Sequence, residues 1–435
     1  MRLPFTKTTL ANGLDVIVHE DHHAPLVAVS VWYHVGSKNE QPGLTGLAHL
    51  FEHLMFEGGA HQPRGYFGPL QEAGAALNGS TSTDRTNYWE VVPKDAAELA
   101  LWMEADRMGW LLPSLTEARF QTQREVVLNE RRQNYENKPY GLAQFAVHDA
   151  MFPAQHPYHW PTIGEPADLV AATVDDARDF FARYYAPGNA SLAIAGDIDT
   201  AEAVSLAERI FGGIAAGPEV APVVPPPVRT LARRLVLEDR IELPRLYLCW
   251  PSPPLFAPGD AAFDLLGDLL ANGRTSRLYR RLIFDKRIAA DVGASQGSRE
   301  LGSLFQIVAT AAPGQHLSDI EAAVMEEIAR AAGDGPTDDE LDRGRVQVEA
   351  AFTYRLQTLG GFGGKADQLN SYNVHCGTPD YFEEDLRRYL VLGRDELMSA
   401  ARVLDPRAAT ALSVVPHGQA TMALDGSRPA FLAAS

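Results

Sequence analysis

Tyr185-Ala186-Pro187-Gly188-Asn189-Ala190-Ser191-Leu192 follows a helix pattern with an acidic start, Val174-Asp175-Asp176-Ala177. Far downstream, Leu404-Asp405-Pro406-Arg407-Ala408-Ala409-Thr410-Ala411 follows Gly393-Arg394-Asp395-Glu396-Leu397. Both stretches run helix, Pro-containing turn, apolar strand. An ordered echo of this kind predicts a duplicated α+β chain: two homologous units, each an antiparallel-rich sheet covered by helices. Between the echoes, Ala215–Thr230 carries Pro218, Pro222 and the run Pro225-Pro226-Pro227. Such a segment is stiff and extended and joins neither neighbour as a helix. The expected division is a domain over 1–216, a Pro-rich linker over 217–230 and a second domain over 231–435.

Within the first unit, Thr8-Thr9-Leu10 and Leu14-Asp15-Val16-Ile17-Val18 flank Asn12-Gly13, a type I′ hairpin signal. Leu26 to Tyr33 reads as a strand. Residues 44–56 read as a helix closed by Gly58-Gly59. A Thr/Ser-rich extended stretch runs from Asn78 to Trp89, and helical patterns occupy roughly 95–108 and 116–136. Ser191 to Ala195 is a further strand.

The chain has 435 residues, 46% hydrophobic and 22% charged, the balance of a globular protein with a core in each half. Its net charge of −18 argues against nucleic acid, whose phosphates require clustered Lys and Arg. The most basic run, Arg277-Leu278-Tyr279-Arg280-Arg281, reads as a solvated helix face. Cys249 and Cys376 are too few for a disulfide framework or a thiolate zinc site, and read as two small buried side chains. No apolar run is long enough to span a bilayer. The N-terminus shows no leader-like apolar region, so the expected compartment is cytoplasmic, or periplasmic if a signal peptide has been removed.

The chemistry is concentrated in His49-Leu50-Phe51-Glu52-His53. On an α-helix, residues four apart lie on one face one turn apart, so both imidazoles reach one metal ion. Glu52 falls beside them, close enough to act on water without having to bind metal. Leu47, Leu50, Phe51, Leu54, Met55 and Phe56 surround the polar trio, so the helix is largely buried. Buried imidazoles and a carboxylate need partners, which a metal supplies. Two His, a third ligand and an open position are what a hydrolytic zinc site requires, with Glu52 as general base. For the third ligand, spacing alone leaves Glu125, Glu130 and Glu136 in competition.

The order His-x-x-Glu-His is the inverse of the more familiar zincin pattern. With it, the sequence resembles the pitrilysin and insulin-degrading-enzyme family, the inverzincins, especially the mitochondrial-processing-peptidase-like branch. The resemblance extends over nearly the whole chain. It identifies Gln123-Arg124-Glu125-Val126-Val127-Leu128-Asn129-Glu130 with the helix of the third ligand. Glu130 is then the ligand, and Gln123 stands where relatives often carry a supporting Glu. It implies one Zn2+ per chain, held by His49, His53 and Glu130. It also implies that Asn78, Gly79, Ser80, Thr81 and Tyr88 line an edge strand to which a peptide adds as another strand.

In the second half Gly273-Arg274-Thr275-Ser276-Arg277-Leu278-Tyr279 also resembles the family, but His-x-x-Glu-His is absent, so that unit is expected to be metal-free. Ile283 and Ala290 stand where catalytic relatives often carry Arg and Tyr. A partner subunit is therefore expected to supply both: a heterodimer with a related metal-free chain is favoured over a homodimer. The activity implied is a zinc metalloendopeptidase or oligopeptidase acting on peptides or unfolded segments in an enclosed chamber. The alternatives are a non-catalytic structural or partner subunit and a hydrolase of non-peptide bonds. Gly360-Gly361-Phe362-Gly363-Gly364 reads as a plain loop or a mobile flap.

Overall fold

A computed structural model of the chain describes residues 3–63, 65–228 and 232–431. Arg229 and Thr230, the end of the expected linker, lie outside them, as do the outermost residues of both expected domains.

The first sheet comprises β1 (Thr6–Thr9), β2 (Asp15–Glu20), β3 (Leu26–Tyr33), β4 (Ala76–Thr81), β5 (Thr86–Pro93) and β6 (Ala190–Gly196), in the order β1-β2-β6-β3-β5-β4. β2 runs parallel to β6 and the other pairings are antiparallel. The second comprises β7 (Arg233–Asp239), β8 (Arg245–Ser252), β9 (Ala289–Gly297), β10 (Ser303–Ala311), β11 (Thr410–Pro416) and β12 (Arg428–Pro429), in the order β12-β7-β11-β8-β10-β9. β7, β11, β8, β10 and β9 repeat the order and sense of β2, β6, β3, β5 and β4. The expected duplicated α+β architecture is therefore present, each sheet drawn from one half of the chain. The strands β1 and β12, at one edge of each sheet, break the repeat: β1 is a hairpin partner of β2, whereas the two-residue β12 runs parallel to β7.

The first hairpin forms where its turn residues place it, but not with the expected turn type. Gly13 has φ 86°, while Asn12 is absent from the described residues with positive φ. A type I′ turn needs positive φ at both positions. Asn12 is committed elsewhere: its amide donates to the carbonyls of Phe211 at 2.9 Å and Ile214 at 3.0 Å.

Helices α1 (Leu47–Leu54), α2 (Phe67–Glu72), α3 (Ala97–Trp110), α4 (Glu117–Arg131) and α5 (Ala143–Met151) follow in the first half. The pattern expected over 116–136 resolves into α4 and a π-helical turn, Arg132–Glu136. Arg277 and Arg281, from the basic run, are held by Glu340 and Glu326. No described helix is long and apolar enough to cross a membrane.

The compact units do not follow a single cut at the Pro-rich segment. One unit comprises Met1–Asn129, Trp160–Val223 and Ala351–Glu384; the other comprises Glu130–His159, Val224–Ala350 and Asp385–Ser435. The reason is helix packing. On the first sheet, Ile17, Ala28, Ala193 and Ala195 leave a shallow apolar surface that Ala366 and Leu369 of the helix Lys365–Cys376 cover. That helix also reaches the strands through Asn370, which donates to Ser30 O at 2.8 Å, and Asn373, which donates to Asp15 at 2.9 Å. On the second sheet, α5 contributes Ala143, Ala146, Val147 and Met151 to a core with Leu237, Tyr247, Leu412 and Val414. Each unit is thus completed by a segment from the other half of the sequence. Cys249 lies in that second core, where burial pushes its thiol up to about 12. Cys376 is half-buried.

The Gly-rich segment 360–364 packs on the first sheet. Phe362 meets Trp89 edge-on with ring centroids 5.6 Å apart, and Gly363 N–H donates to Asp367 at 2.7 Å. These contacts seat the loop on the sheet.

Candidate metal centre

α1 is short, and its start is fixed from outside. The carboxylate of Glu40 accepts the backbone N–H of Gly46 at 2.9 Å and of Ala48 at 2.8 Å, satisfying donors that every helix N-terminus leaves open. Burial pushes the Glu40 carboxyl up to about 8 despite these two bonds. Sequence reading missed this residue, because a cap contributed from seven positions before the helix leaves no Ser, Thr or Asp at the usual place.

The apolar side of α1 fixes its rotation. Leu47, Ala48, Leu50, Phe51 and Leu54 are buried. Phe51 stacks on Phe180 at 5.9 Å between centroids and also meets Phe181 and Tyr185. Truncating such a core Phe costs about 3–5 kcal/mol. With that face committed, His49, Glu52 and His53 share the other, each half-buried. The two imidazole rings lie 4.9 Å apart between centroids.

α4 is tied to the segment that follows α1. Gln123 Nε2 donates to Glu57 Oε1 at 2.6 Å, and Arg119 donates to the Gly58 carbonyl at 3.2 Å. Two turns past Gln123, this same unbroken helix carries Glu130. One nitrogen from each of His49 and His53 and one carboxylate oxygen of Glu130 all lie within 4.8 Å of one another. Asn134, in the π-helical turn, donates to Glu130 Oε1 at 3.3 Å. Glu136 is engaged by Arg131 at 3.0 Å, and Glu125 is exposed, so neither competitor joins the cluster. Two imidazoles and one carboxylate match the donor set of a catalytic zinc, which leaves a fourth position open.

Glu52 is not part of that trio. Its Oε2 accepts the hydroxyl hydrogen of Thr81 at 2.7 Å.

Asn78, Gly79, Ser80 and Thr81 lie on β4, the outermost strand of its sheet. Asn78 is exposed and its Oδ1 accepts Gly79 N–H at 2.8 Å. Gly79 is buried; a Cβ there would lie 2.9 Å from Tyr88 Cδ1 and 3.0 Å from Phe56 Cζ, so only glycine fits. Ser80 donates to Asn87 at 2.7 Å. Tyr88 corrects the sequence reading. It sits on β5, fully buried, with its hydroxyl directed to the Phe51 carbonyl at 3.4 Å. A side chain enclosed in the core cannot line a peptide groove; Tyr88 supports α1 from beneath.

Below it lies a polar cluster that sequence reading also missed. The buried Arg107 guanidinium is sandwiched 3.9 Å from the ring centroids of both Tyr66 and Tyr88 and pairs with buried Glu104. Tyr66 donates to Glu104 at 2.9 Å, and Glu90 completes the group, its carboxyl raised well above the usual range by burial and by Glu104.

Two family models match this chain: Insulinase (Peptidase family M16) over residues 15–160, and Peptidase M16 inactive domain over residues 171–348. A relative named zinc protease PqqE, from Helicobacter pylori, is 29% identical over 400 residues, covering 90% of this chain and 88% of its own length. A solved protease structure from Helicobacter pylori has TM-score 0.88 at 26% identity, covering 96% of this chain and 100% of its own. A structure described as a peptidase M16 inactive domain, from Pseudomonas fluorescens, shares the fold with TM-score 0.85 at 19% identity, covering 99% and 100%.

Proposed function

The chain belongs to the insulinase (M16) family of peptidases, and from that premise we propose that it is a zinc metalloendopeptidase or oligopeptidase. His49, His53 and Glu130 would hold one zinc ion, and Glu52 is the general base. The observation that carries this reading is the convergence of those three donors within 4.8 Å, with Glu52 on the same helix as the two His and outside the trio.

When bound, zinc supplies the Lewis acidity that lets water ionise near neutral pH and polarises the scissile carbonyl. Glu52 takes the proton of the attacking water and returns it to the leaving amine. β4, at the sheet edge, offers an extended peptide a strand to pair with, which selects on backbone more than on side chains. Such pairing suits peptides and unfolded segments.

The alternative, a non-catalytic subunit, draws on the inactive-domain match. That match covers 171–348, which contains none of His49, Glu52, His53 or Glu130, so it does not bear on those four residues. We also propose an enclosed chamber formed with a second subunit, a metal-free relative in preference to a second copy. Ile283 and Ala290 offer neither guanidinium nor phenol, and Arg281 nearby is engaged by Glu326 at 2.6 Å.

Cleavage of a quenched-fluorescent peptide panel, with and without chelator and with zinc restored, tests the activity. Chelator-sensitive hydrolysis recovered by zinc is expected; a metal-loaded protein with no hydrolysis favours the subunit role. Full-rate cleavage by an isolated monomer removes the partner proposal.

A further inference from the structure

We propose that Thr81 is a positioning residue for the base: its hydroxyl grips one oxygen of the Glu52 carboxylate and so helps to hold that carboxylate in its working orientation. The catalytic meaning of this grip rests on the peptidase reading above; the grip itself rests on geometry.

The bond is short, 2.7 Å, and its acceptor is a carboxylate, the class of hydrogen bond about twice as strong as a neutral one. A threonine hydroxyl has a single hydrogen to donate, and here it goes to Glu52 rather than outward to a peptide. A Glu side chain has three rotatable torsions, and a base that wanders between rotamers is seldom aligned. Fixing one oxygen removes that freedom, while a β-branched Thr adds little of its own.

The hydroxyl is itself well placed. Thr81 is the last residue of β4 and pairs with Thr86 of β5, whose own hydroxyl donates to Val35 O at 2.9 Å. Immediately before it, Ser80 is clamped by Arg85, which donates to its carbonyl at 2.8 Å and its hydroxyl at 2.6 Å. The guanidinium lies 5.3 Å from the Trp32 ring centroid. Asp367 then holds the base of the brace, accepting Trp32 Nε1 at 2.7 Å and Asn87 Nδ2 at 2.9 Å. Burial lowers the Arg85 pKa, and the charges of Asp367, Glu52 and Asp84 oppose that lowering. The strand end that carries Thr81 is therefore braced from behind, so the grip on Glu52 is rigid.

Thr81→Val keeps the β-branched shape and removes the hydroxyl; Thr81→Ser restores it. In the zinc-loaded protein, Thr81→Val is expected to lower kcat about ten- to hundredfold with KM within about twofold and zinc content unchanged, and Thr81→Ser to recover most of the rate. A raised KM at unchanged kcat would assign Thr81 to peptide binding and overturn the proposal. Crystal structures of the metal-free wild type and Thr81→Val read the grip without turnover: the Glu52 carboxylate should leave its position in the variant, and an unmoved, single conformer contradicts the grip. If the wild type hydrolyses nothing, the peptidase reading fails, while the crystallographic comparison still decides the role of Thr81.

Discussion

Gln123 Nε2 donates to Glu57 Oε1 at 2.6 Å, an amide-to-carboxylate bond that ties α4 to the segment that follows α1, two turns before Glu130. An amide suits Glu57 because it donates a hydrogen bond, which a second carboxylate at that distance would replace with like-charge repulsion. Gln123→Ala is expected to weaken zinc binding about tenfold, the usual effect of losing an outer support. Gln123→Glu, although relatives often carry Glu there, is expected to bind no better than wild type. Chelator competition measures both; tighter binding by the Glu variant contradicts this assignment.

The third ligand separates from its neighbours by the same measurement. Glu130→Gln should lower zinc affinity, whereas Glu125→Gln, on an exposed position, and Glu136→Gln, at the residue paired with Arg131, should leave it near wild type. Unchanged metal content in Glu130→Gln removes it from the site.

Arg107 is 1% exposed, pairs with buried Glu104 and favours the charged form of buried Glu90. Replacing it strands these acids, and breaking a buried pair from one side costs about 3–5 kcal/mol. Arg107→Met should lower denaturant stability by that order. A loss under about 1 kcal/mol would mean that the cluster adds little to the fold.

Acid stability depends on Glu340 in the second half. Burial raises its carboxyl, but the Arg277 hydrogen bonds and the Thr337 N–H outweigh it and bring it down to about 2 from the usual 4.5. A folded value below the unfolded one means that the contribution is complete above the unfolded pKa and is lost as pH falls toward the folded one. The pair should contribute about 1–2 kcal/mol after allowance for solvent screening. Urea unfolding of metal-free wild type should therefore steepen in its acid dependence relative to Glu340→Gln; equal pH profiles contradict this.

The site was legible in sequence where it is local. His49, Glu52 and His53 sit on one helical turn, and apolar neighbours mark which face is buried, so helix periodicity alone groups them. The repeated helix, turn and strand before Ser191 and Thr410 likewise announced two related sheets. What periodicity cannot express is which segment covers which sheet. The helix Lys365–Cys376 packs on strands hundreds of positions earlier because Ala28, Ala193 and Ala195 leave it room, and small residues in strands advertise no partner. Arg107 was missed for a related reason: a lone Arg in a helix reads as solvated, and only the tertiary meeting with Tyr66, Tyr88 and Glu104 makes it internal. Tyr88 erred the other way, because the resemblance that placed it beside the peptide carries no information on which face of β5 meets the core.

The most direct measurement is the pairing of zinc stoichiometry with peptide hydrolysis in Glu52→Gln. Near-wild-type zinc content and an intact fold are expected, with hydrolysis lost by several orders of magnitude, since the proposed base would transfer protons without holding metal. Hydrolysis at the wild-type rate, or zinc lost along with the carboxylate, contradicts the assigned base.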